Sequence, residues 1–411
     1  MSPLDLIRRL LAMIAIAAMV MPGLGSATTA EWQPLQGDGR VSDFYHWSGR
    51  MPARPGILLR TEALPPELGL GSAAQQIRLL YTSTEGVRGK AIVAVSGVLF
   101  LPRGKRPIGG WPVVAWAHGT VGVADICAPS WAGRSLRDMT YLNAWLEAGF
   151  AIVATDYQGL GTPGPHPYLY TRPAAYNVLD SIRAVAQPRF GLSRKTVLVG
   201  QSQGGTAVIA TGGYAADYAP GIDIRGIIAT GAGSSRVAPG EIPKLDPNLV
   251  SPLLGYLPLA VLTAQQSDPA LRAEDLVTDR ALGLMEQGRR ACFPALVSDA
   301  MGAGLTLANS LKPDAMARIG AINNSNMGYP TYRLVAPLFV GTGAEDRDVP
   351  PQMHAALVRE ACAAGTVVEA HIYLGRDHSG AVNALFRDSL PFAHRVIAGT
   401  PIQPICSPVP G

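Results

Sequence analysis

The strongest constraint on the fold of this chain is an alternation. Between about residues 91 and 233, short apolar runs follow one another: AIVAVSGVLFLP, VVAWAHG, FAIVATDY, TVLVGQ and IRGIIATG. They are rich in Val and Ile and lack a polar face, so they read as strands buried on both sides. Between them lie MTYLNAWLEAG (139–149), AAYNVLDSIRAVAQ (174–187) and GGTAVIATGGYAA (204–216), the first two with apolar residues at helical spacing. Strand–helix alternation predicts an α/β fold, a mostly parallel central sheet with helices on both faces. From about 234 to 333 the alternation lapses into Pro-punctuated helical pieces such as SPLLGYLPLAVLTAQQ, and it resumes at APLFVGTG (336–343). The expected organisation is a first core part over 28–233, an inserted, mainly helical cap or lid over 234–333, and a second core part over 334–411. The cap should lie over the carboxyl ends of the strands, where open α/β sheets bind ligands. The tail TPIQPICSPVPG is expected to run extended on the surface.

Residues 1–27 read as a secretory signal peptide. Arg8 and Arg9 precede the apolar run Leu10–Met21, and Gly25 and Ala27 stand at a small-residue cleavage site. The run is shorter than the roughly 20 residues that span a bilayer, so the chain is expected to be secreted or periplasmic. A formal net charge of +4 with no long basic cluster leaves no footprint for nucleic acid. Four cysteines, Cys127, Cys292, Cys362 and Cys406, favour disulfides in an exported chain, with three pairings open. No His/Cys cluster has metal-ligand spacing, and neither a metal nor a cofactor is expected.

The run TVLV ends in Gly200-Gln201-Ser202-Gln203-Gly204 and leads into a helical segment. Gly-x-Ser-x-Gly is weak evidence in a chain with 46 glycines, but a strand-to-helix turn is the context in which it lifts a nucleophilic serine above the sheet. Such a serine needs a base, and the base needs an orienting carboxylate, in the chain order Ser, acid, His. Glu345, Asp346 and Asp348 follow one late strand, and His378 follows the last, in YLGRDHSGAV. His46, His118 and His166 precede the serine, His354 and His394 fall in predicted helices as surface or packing residues, and His371 lies within a strand. An oxyanion hole is expected from the backbone N–H of Thr120, after VVAWAHG, and that of Gln203.

AWAHGTVGVADICAPS, ATDYQGLGTPGPHPYL, GQSQGG and GTGAEDRDVPP together resemble the secretory lipase family, Candida lipase A-like members of the α/β-hydrolase superfamily with a helical cap. The resemblance implies Ser202 as nucleophile, His378 as base and an acid in the 345–348 turn. It places the acid at Asp346, because DRDVPP matches the family's Asp-x-x-Val-Pro. GTGAED is longer than the usual glycine-to-acid spacing, which keeps Asp348 and Glu345 as alternatives. It also implies the disulfides Cys127–Cys292 and Cys362–Cys406. The expected activity is that of an exported serine carboxylic-ester hydrolase, a lipase or esterase, working through an acyl-enzyme without a cofactor. Its partner is a small-molecule or lipid ester, with contact to a lipid–water interface through the cap and no obligate protein partner. SPLLGYLPLAVL (251–262) could line an acyl-chain tunnel or serve as cap core. Acyl transfer with the same triad is the alternative, and a non-catalytic hydrolase-like binding protein a more distant one.

Overall fold

Strand-forming residues dominate the centre of the molecule, where a computed structural model describes residues 40–234 and 245–411. The expected signal peptide lies outside the described residues, as does part of the expected insertion. Ten strands form one sheet in the order β1-β2-β3-β5-β4-β6-β7-β8-β9-β10. They are β1 (Leu58–Ala63), β2 (Ala73–Thr84), β3 (Ile92–Pro102), β4 (Trp111–Ala117), β5 (Ala151–Thr155), β6 (Leu192–Gln201), β7 (Asp223–Thr230), β8 (Leu338–Gly343), β9 (Val368–Tyr373) and β10 (Ile405–Pro410). The pairs β1–β2, β2–β3 and β3–β5 are antiparallel, and every pair from β5 through β4 to β10 is parallel. The apolar runs behave as their composition requires: β5 and β8 are buried along their whole length.

Helices cover both faces. On one, α2 (Thr171–Val185), α3 (Gln203–Tyr218) and α8 (Pro351–Ala363) pack over Val113, Ala115, Leu198 and Val340. On the other, α1 (Leu136–Glu147) and α9 (Phe386–Ala398) close over Val114, Trp116, Val199 and Phe339. Trp145 is fully buried there, and one large apolar side chain removed from water contributes roughly 1.5–3 kcal/mol. Between β7 and β8 the chain forms α4 (Leu257–Ser267), α5 (Asp279–Gly288), α6 (Phe293–Gly302) and α7 (Ala315–Met327). These share a separate apolar core around Leu259, Val261, Leu276 and Leu296, joined by Tyr168 from the loop after β5.

The tail departs from the expectation in one respect. Residues 405–410 are largely exposed, yet they form β10, which pairs with β9 as a parallel edge strand. Pro408 and Pro410 are tolerated because an edge strand leaves one side of its backbone unpaired. The Cys362–Cys406 disulfide fastens this strand to α8. The antiparallel β1–β2 pair, ahead of the predicted alternation, extends the opposite edge.

Candidate active site

Ser202 occupies the single-residue turn between β6 and α3, with φ 58° and ψ −120°. A non-glycine residue in this region costs on the order of 1–3 kcal/mol, retained where the surroundings force it. Two bonds force it here: Ser202 N–H donates to Thr230 O of β7 at 2.8 Å, and Ser202 O accepts from Thr206 N at 3.0 Å. The glycines of the motif answer to close approach. A Cβ on Gly204 would lie 1.8 Å from Ala117 O, and one on Gly200 would lie 2.1 Å from Gly204 O. A side chain at Gly204 would push α3 away from β4, and one at Gly200 would push it away from β6. Gln203 is the first residue of α3, so its N–H has no partner one turn earlier within the helix.

Of the three candidate acids, Asp346 reaches the histidine. His378 Nδ1 lies 2.8 Å from Asp346 Oδ2, and both residues are buried. Asp346 Oδ1 accepts the N–H groups of Asp348 at 3.0 Å and Val349 at 2.8 Å. Burial works to raise the Asp346 pKa. The nearby His354 ring, the hydrogen bond and charge of His378 and the Val349 N–H outweigh it and hold the carboxyl well below the usual carboxylate range. Glu345 is exposed, and the exposed Asp348 accepts the Tyr256 hydroxyl at 3.1 Å. With Nδ1 on the carboxylate, His378 turns Nε2 away from it. That nitrogen is buried and has no hydrogen-bond partner among the described residues. A Cβ built on Gly231 would fall 2.6 Å from His378 Cε1 and 3.2 Å from Ser202 N, so imidazole and serine backbone flank this one glycine.

A cavity of about 310 Å³ opens here, and its walls include Ser202, His378, Thr120, Arg137, Tyr256 and Phe293. Arg137 from α1 ties two parts of the site together. Its Nη2 donates to Gln201 Oε1 at 3.1 Å, before the serine, and its Nη1 to Ser379 Oγ at 3.3 Å, after the histidine. Thr120 hydrogen-bonds the Tyr168 hydroxyl through its side chain at 2.8 Å. The Cys127–Cys292 disulfide and a 2.8 Å bond from Phe293 N to Val121 O join the loop after β4 to the start of α6.

The remaining histidines divide by burial. His118 braces its own loop, Nδ1 to Gly119 O at 2.7 Å and Nε2 to Asp156 O at 3.2 Å. His166 is pushed down to about 4, chiefly by burial, with repulsion from His118 adding to it. His354 is the residue whose place sequence reasoning missed. It is a buried helix residue, as a packing role requires, but its Nε2 lies 3.5 Å from Asp346 Oδ2. Pro350-Pro351, which starts α8 directly after the acid turn, was the available signal: it brings the first turn of that helix back over the carboxylate.

Asp346, Asp348 and His378 bring ligand atoms within 4.8 Å of one another. Asp346 is already committed to two backbone N–H groups and to His378. A carboxylate so occupied has little left to offer a metal ion, and the set fits an acid–base pair better than a metal centre.

The model of the secretory lipase family matches residues 134–383, which include the serine, the acid turn and the histidine. The chain belongs to the secretory lipase family. As a member it is a carboxylic ester hydrolase, and its fold is that of the α/β-hydrolases. Candida antarctica lipase A in its closed state superposes with a TM-score of 0.68 at 20% identity, over 87% of this chain and 86% of that one. A rice cell wall degrading esterase, LipA, from Xanthomonas oryzae gives 0.61 at 18% identity, over 84% of this chain and 97% of that one. Among curated proteins, none matches the sequence.

Proposed function

We propose that this family member hydrolyses its ester through Ser202, His378 and Asp346, by way of an acyl-enzyme. The observation that carries the reading is the 2.8 Å Asp346–His378 bond at the cavity that also receives the strained Ser202. In the first half-reaction Ser202 Oγ attacks the ester carbonyl and its proton passes to His378 Nε2. Asp346 holds Nδ1–H and stabilises the imidazolium. The N–H groups of Thr120 and Gln203 receive the oxyanion, each donor contributing about 2.7–4 kcal/mol by the usual measure of such sites. Collapse of the intermediate breaks the ester C–O bond, and His378 protonates the departing alkoxide. Water, deprotonated by the same nitrogen, then attacks the acyl-enzyme, releasing the acid and restoring Ser202.

Residues 234–333 act in this reading as the cap. An apolar cleft of about 200 Å³ between Leu249, Leu254, Leu257, Leu311 and Met316 supports an acyl-chain site there. Tyr256 borders both that cleft and the serine cavity. Exposed Leu245, Leu249 and Met316 at its rim support contact with a lipid–water interface. Export agrees with the family, and residues 1–27 serve as the leader, cut before Thr28.

Hydrolysis of p-nitrophenyl esters from acetate to palmitate, by the wild type and by Ser202→Ala, tests the mechanism. Turnover is expected to vanish with the serine, and the chain-length profile separates esterase from lipase. Full activity in the variant would overturn the serine route. Products formed with a competing alcohol present distinguish water from another acyl acceptor.

A further inference from the structure

The carboxylate assigned to the triad faces two histidines. His378 Nδ1 and His354 Nε2 approach the same oxygen, Asp346 Oδ2, at 2.8 Å and 3.5 Å. His354 projects from the first turn of α8 and is almost completely buried. Its other nitrogen, Nδ1, meets Thr342 Oγ1 at 3.1 Å, on the strand that ends in the acid turn. A neutral imidazole in contact with a carboxylate is held in one tautomer. If Nε2 carried a lone pair it would face the anion, which is repulsive. With Thr342 donating its hydroxyl hydrogen to Nδ1, Nε2 bears the proton and points it at Asp346.

We propose that His354 is a positioning residue for catalysis: it donates Nε2–H to Asp346 and, with Thr342 fixing its tautomer, sets how strongly that carboxylate supports His378. The inference rests on the triad reading given above. Asp346 then has four donors about it, two backbone N–H groups on Oδ1 and two imidazoles on Oδ2, of which His354 stands off at 3.5 Å as the longest contact. Four donors lock the orientation of the carboxylate. They also spread its charge, so His378 receives less stabilisation of its imidazolium than it would from a carboxylate of its own.

The other charged and titratable groups about the pair belong to separate elements. Asp348 lies on the acid turn, Tyr256 comes from the insertion and bonds Asp348, and Arg137 comes from α1 and bonds Ser379. Glu345, Arg376 and Asp377 are exposed on the two loops that carry the pair. His354 is the side chain besides His378 that the described contacts bring to Asp346 Oδ2.

His354→Phe tests the proposal by keeping an aromatic ring and removing the donor. The sign of the effect follows from the charge. Without Nε2–H the carboxylate is less compensated, the His378 imidazolium is better stabilised, and the acid limb of kcat/KM should move up by about half a pH unit or more. On the alkaline plateau kcat should fall about tenfold, with KM for p-nitrophenyl butyrate nearly unchanged, because the loosened carboxylate affects the chemistry and not the binding. Thr342→Val, which fills the same volume and releases the tautomer, should move the limb in the same direction by less. It carries the test if the phenylalanine variant does not fold. An acid limb unmoved in the folded variants, whatever happens to kcat, would overturn the proposal and leave His354 as packing. Ser202→Ala and His378→Ala, assayed in parallel, separate the two claims. If either keeps turnover, the triad reading fails. If both abolish it while the limb stays fixed, only the role of His354 fails.

Discussion

The two sides of the proposed active site are held by different means. The nucleophile side is built from backbone: a serine in left-handed geometry, pinned by two main-chain hydrogen bonds and by glycines whose neighbours leave no room for a Cβ. The acid–base side is built from side chains: a carboxylate with two main-chain donors and two imidazoles, and an arginine that ties the histidine loop to the serine strand. Backbone geometry of the first kind demands particular residues at fixed spacing. Side-chain convergence of the second kind draws on elements far apart in the chain.

Experiments that break one side and spare the other sharpen the contrast. The largest effect is expected from Asp346→Asn, which keeps the shape and removes the charge that orients the imidazole. A fall of about 10⁴-fold in kcat is expected, with the protein still folded by circular dichroism. Retention of more than a tenth of wild-type kcat would move the acid to another residue. Gly204→Ala should act through structure. With a Cβ 1.8 Å from a main-chain oxygen, unfolding in urea should show a loss above about 4 kcal/mol, the range reserved for severe backbone or core damage. Away from both sides, replacing Cys362 and Cys406 together by Ser should lower stability by about 2–4 kcal/mol, with kcat at 25 °C unaltered because β10 lies at the sheet edge. Asp348→Ala and Glu345→Ala should each change kcat less than about tenfold, since neither carboxylate bonds His378. The smallest effect is on acid stability. The Asp346 carboxyl is depressed in the folded protein, so its contribution is fully present above the ordinary carboxylate range and is lost as pH falls toward its folded value. The unfolding free energy of Asp346→Asn, measured in urea, should therefore fall less steeply with decreasing pH than that of the wild type.

This division also explains what could be read in the sequence. The central strands from β3 to β9 and the helices around them were visible, because burial on both faces leaves Val- and Ile-rich runs with no polar alternation. Ser202 was visible because its glycines are required sterically. The choice of Asp346 over Glu345 and Asp348 came from the resemblance in DRDVPP and not from the residue types, since it depends on which carboxylate turns inward, a matter of two backbone bonds at Asp348 and Val349. His354 looked like any helix histidine until α8 folded back over the acid turn. β10 escaped notice because its pattern, with two prolines and five exposed positions, carries no strand periodicity. It exists as a strand by pairing with β9.

The Cys127–Cys292 bond has a mechanical consequence. One corner of the helical insertion is stapled to the loop that carries Thr120, and the neighbouring Phe293 N–H adds a second tie at the same point. Beside that corner Phe293 packs on Tyr256 with ring centroids 4.4 Å apart. Farther off, Gln266 donates to His166 O at 2.8 Å, and the Tyr170 hydroxyl meets Ser267 Oγ at 2.6 Å and Asn323 Oδ1 at 3.0 Å. The insertion is thus laced to the loops of the sheet at several points, one of them covalent.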